Sequence, residues 1–288
     1  MILFDQLVDT ALKNHRELAP LRMVVEKELL HHDILREMAQ LELLSSLTFM
    51  GGSCLRDCYG AQRLSEDLDF TGGSNFHRKD LVTMGSSIKK ALQIKYDLPI
   101  TVSEPIQERT AVSTWKIKIE THPKQKNLPA QRINIDICAL PSHDRRPMML
   151  RNIYGIDMGT SGLILQAESR EEILADKIMA LALRLNRIKH RDLWDIAWLK
   201  QQGVELPYLL IPKKIHDHRR EKPEFINLLK ERLAQLSLPT LRHDFLNEMK
   251  RFLPTHIISE TVEKKEFWDY LCDLVRFEGE QVLKFLKK

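Results

Sequence analysis

Residues 51–70 of the chain read GGSCLRDCYGAQRLSEDLDF, and the pattern passes from a turn to a helix to a strand. The apolar run LTFM, which precedes this stretch, stops at its two glycines. The letters SCLRDCYG then predict one or two helical turns closed by Gly60. EDLDF alternates polar and apolar residues, so it predicts a strand that ends at Thr71-Gly72-Gly73.

The predicted strand EDLDF carries two carboxylates on one face. Because side chains alternate along a strand, Asp67 and Asp69 share one face while Leu68 and Phe70 anchor the other. Their backbone positions lie about 6.5 Å apart, so rotamers can bring both carboxylates onto shared divalent cations. Mg²⁺ takes one or two carboxylates together with phosphate oxygens, and Mn²⁺ is the alternative ion. The spacing therefore predicts a cation site.

A later segment, RINIDICAL, repeats this arrangement. Its isoleucines form one face of a predicted strand, and Asp136 lies on the opposite face. An aspartate that interrupts an apolar strand is costly unless something pairs with it. If this strand neighbours EDLDF, Asp136 becomes a third carboxylate at the same edge. A single aspartate at a strand edge more often faces water or caps a turn, but three on two amphipathic strands favour a site.

The glycine turn before the helix predicts a phosphate site. Gly51 and Gly52 let the backbone approach a ligand closely, and Ser53 is expected to cap the short helix. The N–H groups at a helix N-terminus suit an anion. Taken alone, a Gly-Gly-Ser sequence is more often a simple tight turn.

The rest of the chain predicts an α+β fold in two parts. Residues 1–166 are expected to form a mixed β-sheet with helices, and residues 167–288 an all-helical domain in which Ser169 and Glu172 form a capping box. Helices are predicted over residues 3–14, 20–46, 78–96 and 190–203. Strands are predicted over residues 100–104, 114–120 and 132–140, with a weaker pair at 154–158 and 163–167.

In the helical part, one amphipathic helix carries Lys177. Lys177 and Arg184 are seven residues apart, so they project to the same side of the helix. A lysine that faces solvent is the common alternative to a functional one. The buried stripe is expected to contain Ile173, Leu174, Ile178, Leu181 and Leu185.

Composition is that of a soluble globular protein, with 43% hydrophobic and 29% charged residues among 288. The net charge of +4 permits a polyanionic partner without requiring one. The basic segment 212–222 is read as a solvated loop, with an RNA or phosphate surface as the alternative.

No apolar run reaches the roughly 20 residues of a membrane span, and the N-terminus does not resemble a secretion signal, so no membrane association and a cytoplasmic location are expected. The cysteines are expected to be buried thiols.

The stretch from Gly51 to Phe70 resembles the first motif of the nucleotidyltransferase superfamily, in the form found in AbiEii-type toxins of type IV toxin–antitoxin systems. The matching positions are Gly51, Gly52, Ser53, Leu55, Arg56, Tyr59, Gly60, Arg63 and Ser65 to Phe70. A second signature consists of Ala175-Asp176-Lys177, Ala180-Leu181, Arg184 and Arg191-Asp192-Leu193-Trp194-Asp195. The remaining C-terminal helices resemble the family only in being helical.

This resemblance implies a nucleotidyltransferase that moves a nucleoside monophosphate from an NTP to an acceptor and releases pyrophosphate. The implied acceptor is RNA, at the end of a tRNA, and the implied partner is a cognate antitoxin. A protein or small-molecule acceptor, or a catalytically idle binding module of the same fold, are the alternatives.

The resemblance also implies a role for each matching residue. Three aspartates would hold metal, and Asp136 could also activate the acceptor hydroxyl. Lys177 would neutralise triphosphate charge, and Asp192 would orient Lys177 or the acceptor. Because the interval after the lysine varies among relatives, the choice between Asp192 and Asp195 stays open. The implied metal ligands are Asp67, Asp69 and Asp136, and the implied phosphate contacts are Gly52, Ser53 and Ser65.

Overall fold

The chain divides into two compact units, Met1–Glu168 and Ser169–Lys288. The structure is a computed structural model that describes residues 3–105, 112–125, 128–185 and 187–288. The first unit contains a β-sheet with helices, and the elements of the second are helical. The mixed α/β fold class predicted from the sequence is confirmed.

Within the described residues, seven strands form one mixed sheet in the order β3-β4-β5-β2-β1-β7-β6. The strands are β1 (Thr48–Met50), β2 (Leu68–Thr71), β3 (Ile100–Ser103), β4 (Val112–Ile119), β5 (Gln131–Cys138), β6 (Arg145–Met149) and β7 (Ile164–Glu168). β2 runs parallel to β5, and β1 runs parallel to β7. The other neighbouring pairs are antiparallel. The four strands predicted apart from the weaker pair, β2, β3, β4 and β5, therefore lie side by side in this sheet, in the order β3-β4-β5-β2.

The helices of the first unit are α1 (Leu3–Asn14), α2 (Arg22–Gln40), α3 (Gly51–Asp57) and α4 (Met84–Tyr96). The single helix expected over residues 20–46 is wrong at its C-terminal end. α2 stops at Gln40, and Glu42 takes a left-handed backbone with φ of 60° before a short 3-10 turn. Residues 78–96 likewise divide into a 3-10 turn and α4, because the regular helix begins only at Met84.

The core of the first unit follows the predicted strand alternation. Leu68 and Phe70 in β2 are buried, as are Ile133, Ile135 and Ile137 in β5. The residues between them along each strand are only half-buried. α2 packs against β5 and contributes three fully buried leucines and Ile34 to this core. One face of β2 and β5 is thus fixed in the interior, which leaves the polar face at the rim.

The sequence misplaced one strand near the C-terminal end of this unit. Residues 154–158 form turns rather than a strand, and the buried Tyr154 donates its hydroxyl hydrogen bond to Glu28. On the side away from β1, β7 pairs with β6, which begins nine residues before Tyr154 and whose sequence RRPMM lacks alternation. β6 lies at the edge of the sheet, where Pro147 is tolerated.

The helices of the second unit are α5 (Arg170–Leu183), α6 (His190–Gln201), α7 (Leu210–Asp217), α8 (Lys222–Gln235), α9 (Pro239–Met249), α10 (Thr255–Ile257) and α11 (Lys265–Leu286). Ser169 caps α5 as predicted, since its Oγ accepts the Glu172 N–H at 3.0 Å. Leu185 is 78% exposed because α5 ends before it, so its place in the buried stripe is wrong. In the described part of the chain, no helix is both long and apolar enough to cross a membrane.

The basic segment 212–222 is not simply a loop, as the sequence suggested. Residues 210–217 form α7, and Lys214 is buried at 2.8 Å from Glu172 and 2.6 Å from Asp176. Burial of this ammonium is affordable because two carboxylates compensate its charge. By contrast, the expectation of buried thiols is confirmed for Cys54, Cys58 and Cys272.

Candidate active site

The turn between β1 and α3 lies against a carboxylate of β2. Gly51 has a φ of 73°, a left-handed conformation that glycine adopts without strain. A Cβ at this position would also lie 2.8 Å from Oδ2 of Asp69. Both the backbone and the space at Gly51 therefore require a residue without a side chain, and the turn faces the aspartate.

The two predicted acidic strands are neighbours, and their register places Asp69 and Asp136 side by side. Asp69 in β2 is the direct partner of Asp136 in the parallel strand β5. Asp67 lies just before β2, and its Oδ1 accepts the Asn134 N–H at 3.0 Å. Asp136 accepts a 2.6 Å hydrogen bond from the hydroxyl of Thr114, its cross-strand partner in β4. All three aspartates are half-buried, and Asp69 lies opposite Met50, the last residue of β1; this strand end is referred to as the sheet edge.

Two buried serines connect the glycine turn to Asp67. The Ser53 hydroxyl donates to the main-chain oxygen of Asp67, and Ser53 Oγ lies 2.8 Å from Ser65 Oγ. A carbonyl oxygen can only accept, so the single Ser53 proton goes to Asp67 and Ser65 must donate to Ser53. The expectation that Ser53 caps α3 is wrong, because that helix begins at Gly51 with Met50 as its N-cap. Ser53 instead fixes the turn to the aspartate loop.

A buried arginine lies beside the same turn. A Cβ at Gly52 would overlap the guanidinium of Arg63, whose Nη1 donates to the Leu64 carbonyl at 2.8 Å. Arg63 is only 3% exposed. Arg63 belongs to the first sequence motif, but its role was not predicted, because periodicity gives no signal for a buried arginine in a loop. The structure places a fixed positive charge next to the second glycine.

The second unit contains a separate charged cluster around Lys177. Its Nζ lies 2.7 Å from Asp192 Oδ1 and 2.7 Å from Asp195 Oδ2. Arg184 Nη2 lies 3.2 Å from the other oxygen of Asp192. Lys177 and Arg184 both contact Asp192, but α5 ends at Leu183, so Arg184 does so from just beyond the helix rather than from its face. Lys177 therefore contacts both Asp192 and Asp195, the two aspartates between which the sequence did not decide.

Asp192 is buried but ionised. Burial alone would raise its pKa, yet the cations Lys177, Lys189 and Arg184 outweigh burial, and the pKa lies below its ordinary value. A buried ion pair of this kind is stable only while both partners remain. The cluster therefore holds the Lys177 ammonium in one place with its charge compensated.

Comparison with known proteins identifies the family. The model of the nucleotidyl transferase AbiEii toxin family, from type IV toxin–antitoxin systems, matches residues 33–271. This chain belongs to the AbiEii family. The resemblance inferred from the sequence motifs is confirmed, and with it a nucleotidyltransferase activity that uses an NTP. As toxins of toxin–antitoxin systems, AbiEii proteins are paired with an antitoxin.

Solved structures similar to this AbiEii chain include two bacterial proteins. The nucleotidyltransferase toxin MenT4 from Mycobacterium tuberculosis H37Rv has a TM-score of 0.52 and 14% identity, with 99% of each chain covered. JHP933 from Helicobacter pylori has a TM-score of 0.46 and 16% identity, covering 92% of this chain and 93% of its own. None of the curated proteins matches the chain. The likeness to MenT4 supports the nucleotidyltransferase-like fold.

Proposed function

We propose that this chain transfers a nucleoside monophosphate from an NTP to the end of an RNA, with tRNA as the acceptor. The observation that carries the proposal is the arrangement of aspartates on two neighbouring strands, with a glycine backbone against one of them. Asp69 pairs in register with Asp136, and Gly51 presents its backbone to Asp69. A triphosphate and its cations require this combination of acidic ligands and open backbone.

The residues at this edge fit a divalent cation. Asp67, Asp69 and Asp136 offer hard oxygen ligands, which suit Mg²⁺ or Mn²⁺. Asp67 accepts a backbone N–H and Asp136 accepts a hydroxyl, and these two donors orient the carboxylates. When bound, the cation supplies charge neutralisation on the phosphates and activation of the attacking oxygen.

The protein residues have distinct proposed roles in the transfer. An acceptor hydroxyl oxygen forms a bond to the α-phosphorus, the bond from that phosphorus to the β-phosphate oxygen breaks, and pyrophosphate leaves. Asp136 accepts the hydroxyl proton. The backbone at Gly52, with Arg63 beside it, contacts the phosphates, while Ser53 and Ser65 hold this turn in position. Preorganised charge of this kind is the main source of rate in phosphoryl transfer.

Lys177 and Asp192 are proposed to act as a unit. Lys177 neutralises triphosphate charge, and Asp192 fixes the direction of its ammonium group. The 2.7 Å contact between them supports this assignment. Asp195, at the same distance from Lys177, is proposed as a second orienting carboxylate.

The surface of the second unit supports a nucleic-acid acceptor. Around the C-terminal end of α7, basic side chains face solvent, whereas Lys214 of the same helix is buried. Exposed cations of this kind contact phosphates in a manner that depends on salt concentration. The exposed residues are Lys213, Arg219, Arg220 and Lys222.

A labelling experiment distinguishes the acceptors. The purified chain is incubated with Mg²⁺, total tRNA and a cell lysate, together with each NTP labelled at the α-phosphate. Label on tRNA is expected, and label on protein or on a small molecule would replace the RNA proposal. Asp69→Asn serves as the inactive control, and Asp144→Asn, an exposed aspartate paired with Arg146, serves as the matched active control. No transfer to any acceptor would contradict the proposal.

A further inference from the structure

Helix α2 contacts the segment that leads into Asp67 with three side chains. Lys27 Nζ lies 2.9 Å from the Glu66 carboxylate, and Glu28 Oε1 accepts the Ser65 N–H at 2.8 Å. His31 Nε2 lies 3.0 Å from the Glu66 main-chain oxygen, and only an N–H can donate to that oxygen. Burial lowers the pKa of His31, so the ring is neutral at physiological pH and carries its proton on Nε2. Side chains of α2 therefore hold the loop that precedes Asp67, partly through its backbone.

Glu28 is the centre of this arrangement. It is 1% exposed, and its Oε2 contacts Arg56 Nε at 3.2 Å and accepts the Tyr154 hydroxyl. Arg56 in turn donates to the Ala61 carbonyl at 3.1 Å. Burial and the nearby Glu28 carboxylate raise the pKa of Tyr154, so its hydroxyl stays protonated and continues to donate. A buried carboxylate with this many partners has a fixed position.

A short series of hydrogen bonds connects Glu28 to the candidate metal ligand. Glu28 holds the Ser65 N–H, the Ser65 hydroxyl donates to Ser53, and Ser53 donates to the Asp67 carbonyl. Glu28, Ser65 and Ser53 are not themselves among the proposed metal ligands. A displacement of Glu28 would therefore shift Asp67 through the hydrogen bonds of Ser65 and Ser53.

We propose that Glu28, assisted by His31, is a positioning residue that sets the location of Asp67 and thereby the affinity of the acidic edge for divalent cations. This inference rests on the proposed metal-dependent function. Residues one layer outside a metal site orient the ligands, and their loss costs about 10–100-fold in metal affinity. Glu28→Gln keeps the side-chain volume but removes the charge that pairs with Arg56.

The experiment measures Mn²⁺ binding to the full chain without nucleotide, by electron paramagnetic resonance. Glu28→Gln is expected to raise the Kd about tenfold or more. The matched control is Glu26→Gln, in the same helix and equally buried, whose partners Thr121 and Gln131 lie away from the aspartate loop. Unchanged Mn²⁺ binding in folded Glu28→Gln, or an equal loss in Glu26→Gln, would overturn the proposal.

Activity gives a second readout that a purely structural role would not alter. Glu28→Gln is expected to need about tenfold more Mg²⁺ for half-maximal transfer, with a rate at saturating Mg²⁺ close to that of the parent chain. A rate reduced equally at every Mg²⁺ concentration would contradict a positioning role.

Two further variants keep the test decisive. If Glu28→Gln does not fold, His31→Leu decides, since it removes the donor to Glu66; a several-fold rise in Kd supports the proposal and an unchanged Kd refutes it. Asp69→Asn separates the two proposals. If the parent chain binds Mn²⁺ no better than Asp69→Asn, the acidic edge is not a metal site, and the proposed function and the role of Glu28 both fail.

Discussion

The two charged clusters of this molecule differ in the groups that are seen to contact their carboxylates. At the sheet edge, a backbone N–H orients Asp67 and a hydroxyl orients Asp136. In the helical unit, two buried carboxylates hold the Lys177 ammonium by direct ion pairs. A neutral donor orients the carboxylate that it contacts, whereas an ion pair makes each partner depend on the other. The sheet edge is therefore expected to serve activity, and the lysine cluster both activity and stability.

The largest expected effect is at the sheet edge. Asp69→Asn should lower nucleotide transfer at least about a thousandfold, because cation-based charge stabilisation contributes several kcal/mol to the transition state. The variant should still fold, since the side chain is only half-buried and asparagine has nearly the same shape. Transfer assays and circular dichroism melting test both parts. Activity within tenfold of the parent chain would exclude Asp69 from the site.

Lys177→Met is expected to reduce both stability and nucleotide transfer. Removing the cation leaves Asp192 and Asp195 buried without it, which should cost about 3 kcal/mol of unfolding free energy. Transfer should fall about a hundredfold at a temperature where the variant is folded. Urea unfolding measures the first effect, and adding Asp192→Asn should restore part of the stability without restoring activity. If Lys177→Met is as stable as the parent chain, Lys177 does not compensate the buried charges of Asp192 and Asp195.

Acid should destabilise the first unit through a buried histidine. His32 is buried beside Thr160, and burial, with the neighbouring His31, lowers its pKa from 6.5 to about 4. Between these values the unfolded chain binds the extra proton, so stability falls as pH falls below 6.5, by about 2 kcal/mol at pH 5. The pKa of Asp192 is also lowered, but for a carboxyl group the stability it adds is lost only below its unfolded value near 3.8.

Urea unfolding between pH 7 and pH 4.5 measures this difference. His32→Gln should make the dependence on pH shallower by about 1.4 kcal/mol per pH unit below pH 6. Asp192→Asn should not change the slope in this range. An unchanged slope in His32→Gln would show that the histidine is not the acid-sensitive group.

The smallest expected effect concerns the orientation of Asp136. Thr114→Val keeps the shape of the side chain and removes one hydrogen bond to the carboxylate, which is worth about 1 kcal/mol, or about fivefold in transfer rate. Thr101→Val, at an exposed position of β3 in the same sheet, is the matched control. Equal rates for the two variants would show that Thr114 does not contribute.

Local periodicity predicted the parts of the site that a single strand determines. The alternation in EDLDF and RINIDICAL identified the faces of Asp69 and Asp136 because one face of each strand is apolar. Thr114 could not be found in this way, since its contact depends on the register between β4 and β5. The helix signature of residues 169–183 was equally local, with Ser169 as its cap.

The misses share one physical cause, which is a partner distant in sequence. Ser53 fits the pattern of a helix cap, yet it bonds to a carbonyl 14 residues later. Glu28 looks like a solvent-facing position of an amphipathic helix, but Arg56 and Tyr154 bury it. For Lys214, no pattern within α7 indicates that α5 supplies two carboxylates.

The conformation of Gly51 has a genetic consequence. Every substitution there introduces a side chain into the space in front of Asp69 and into a backbone region that other residues rarely adopt. In a culture forced to express this toxin, a single base change in that codon should suffice for survival. Escape mutants should therefore recur at this glycine, and most of them should still produce a folded protein.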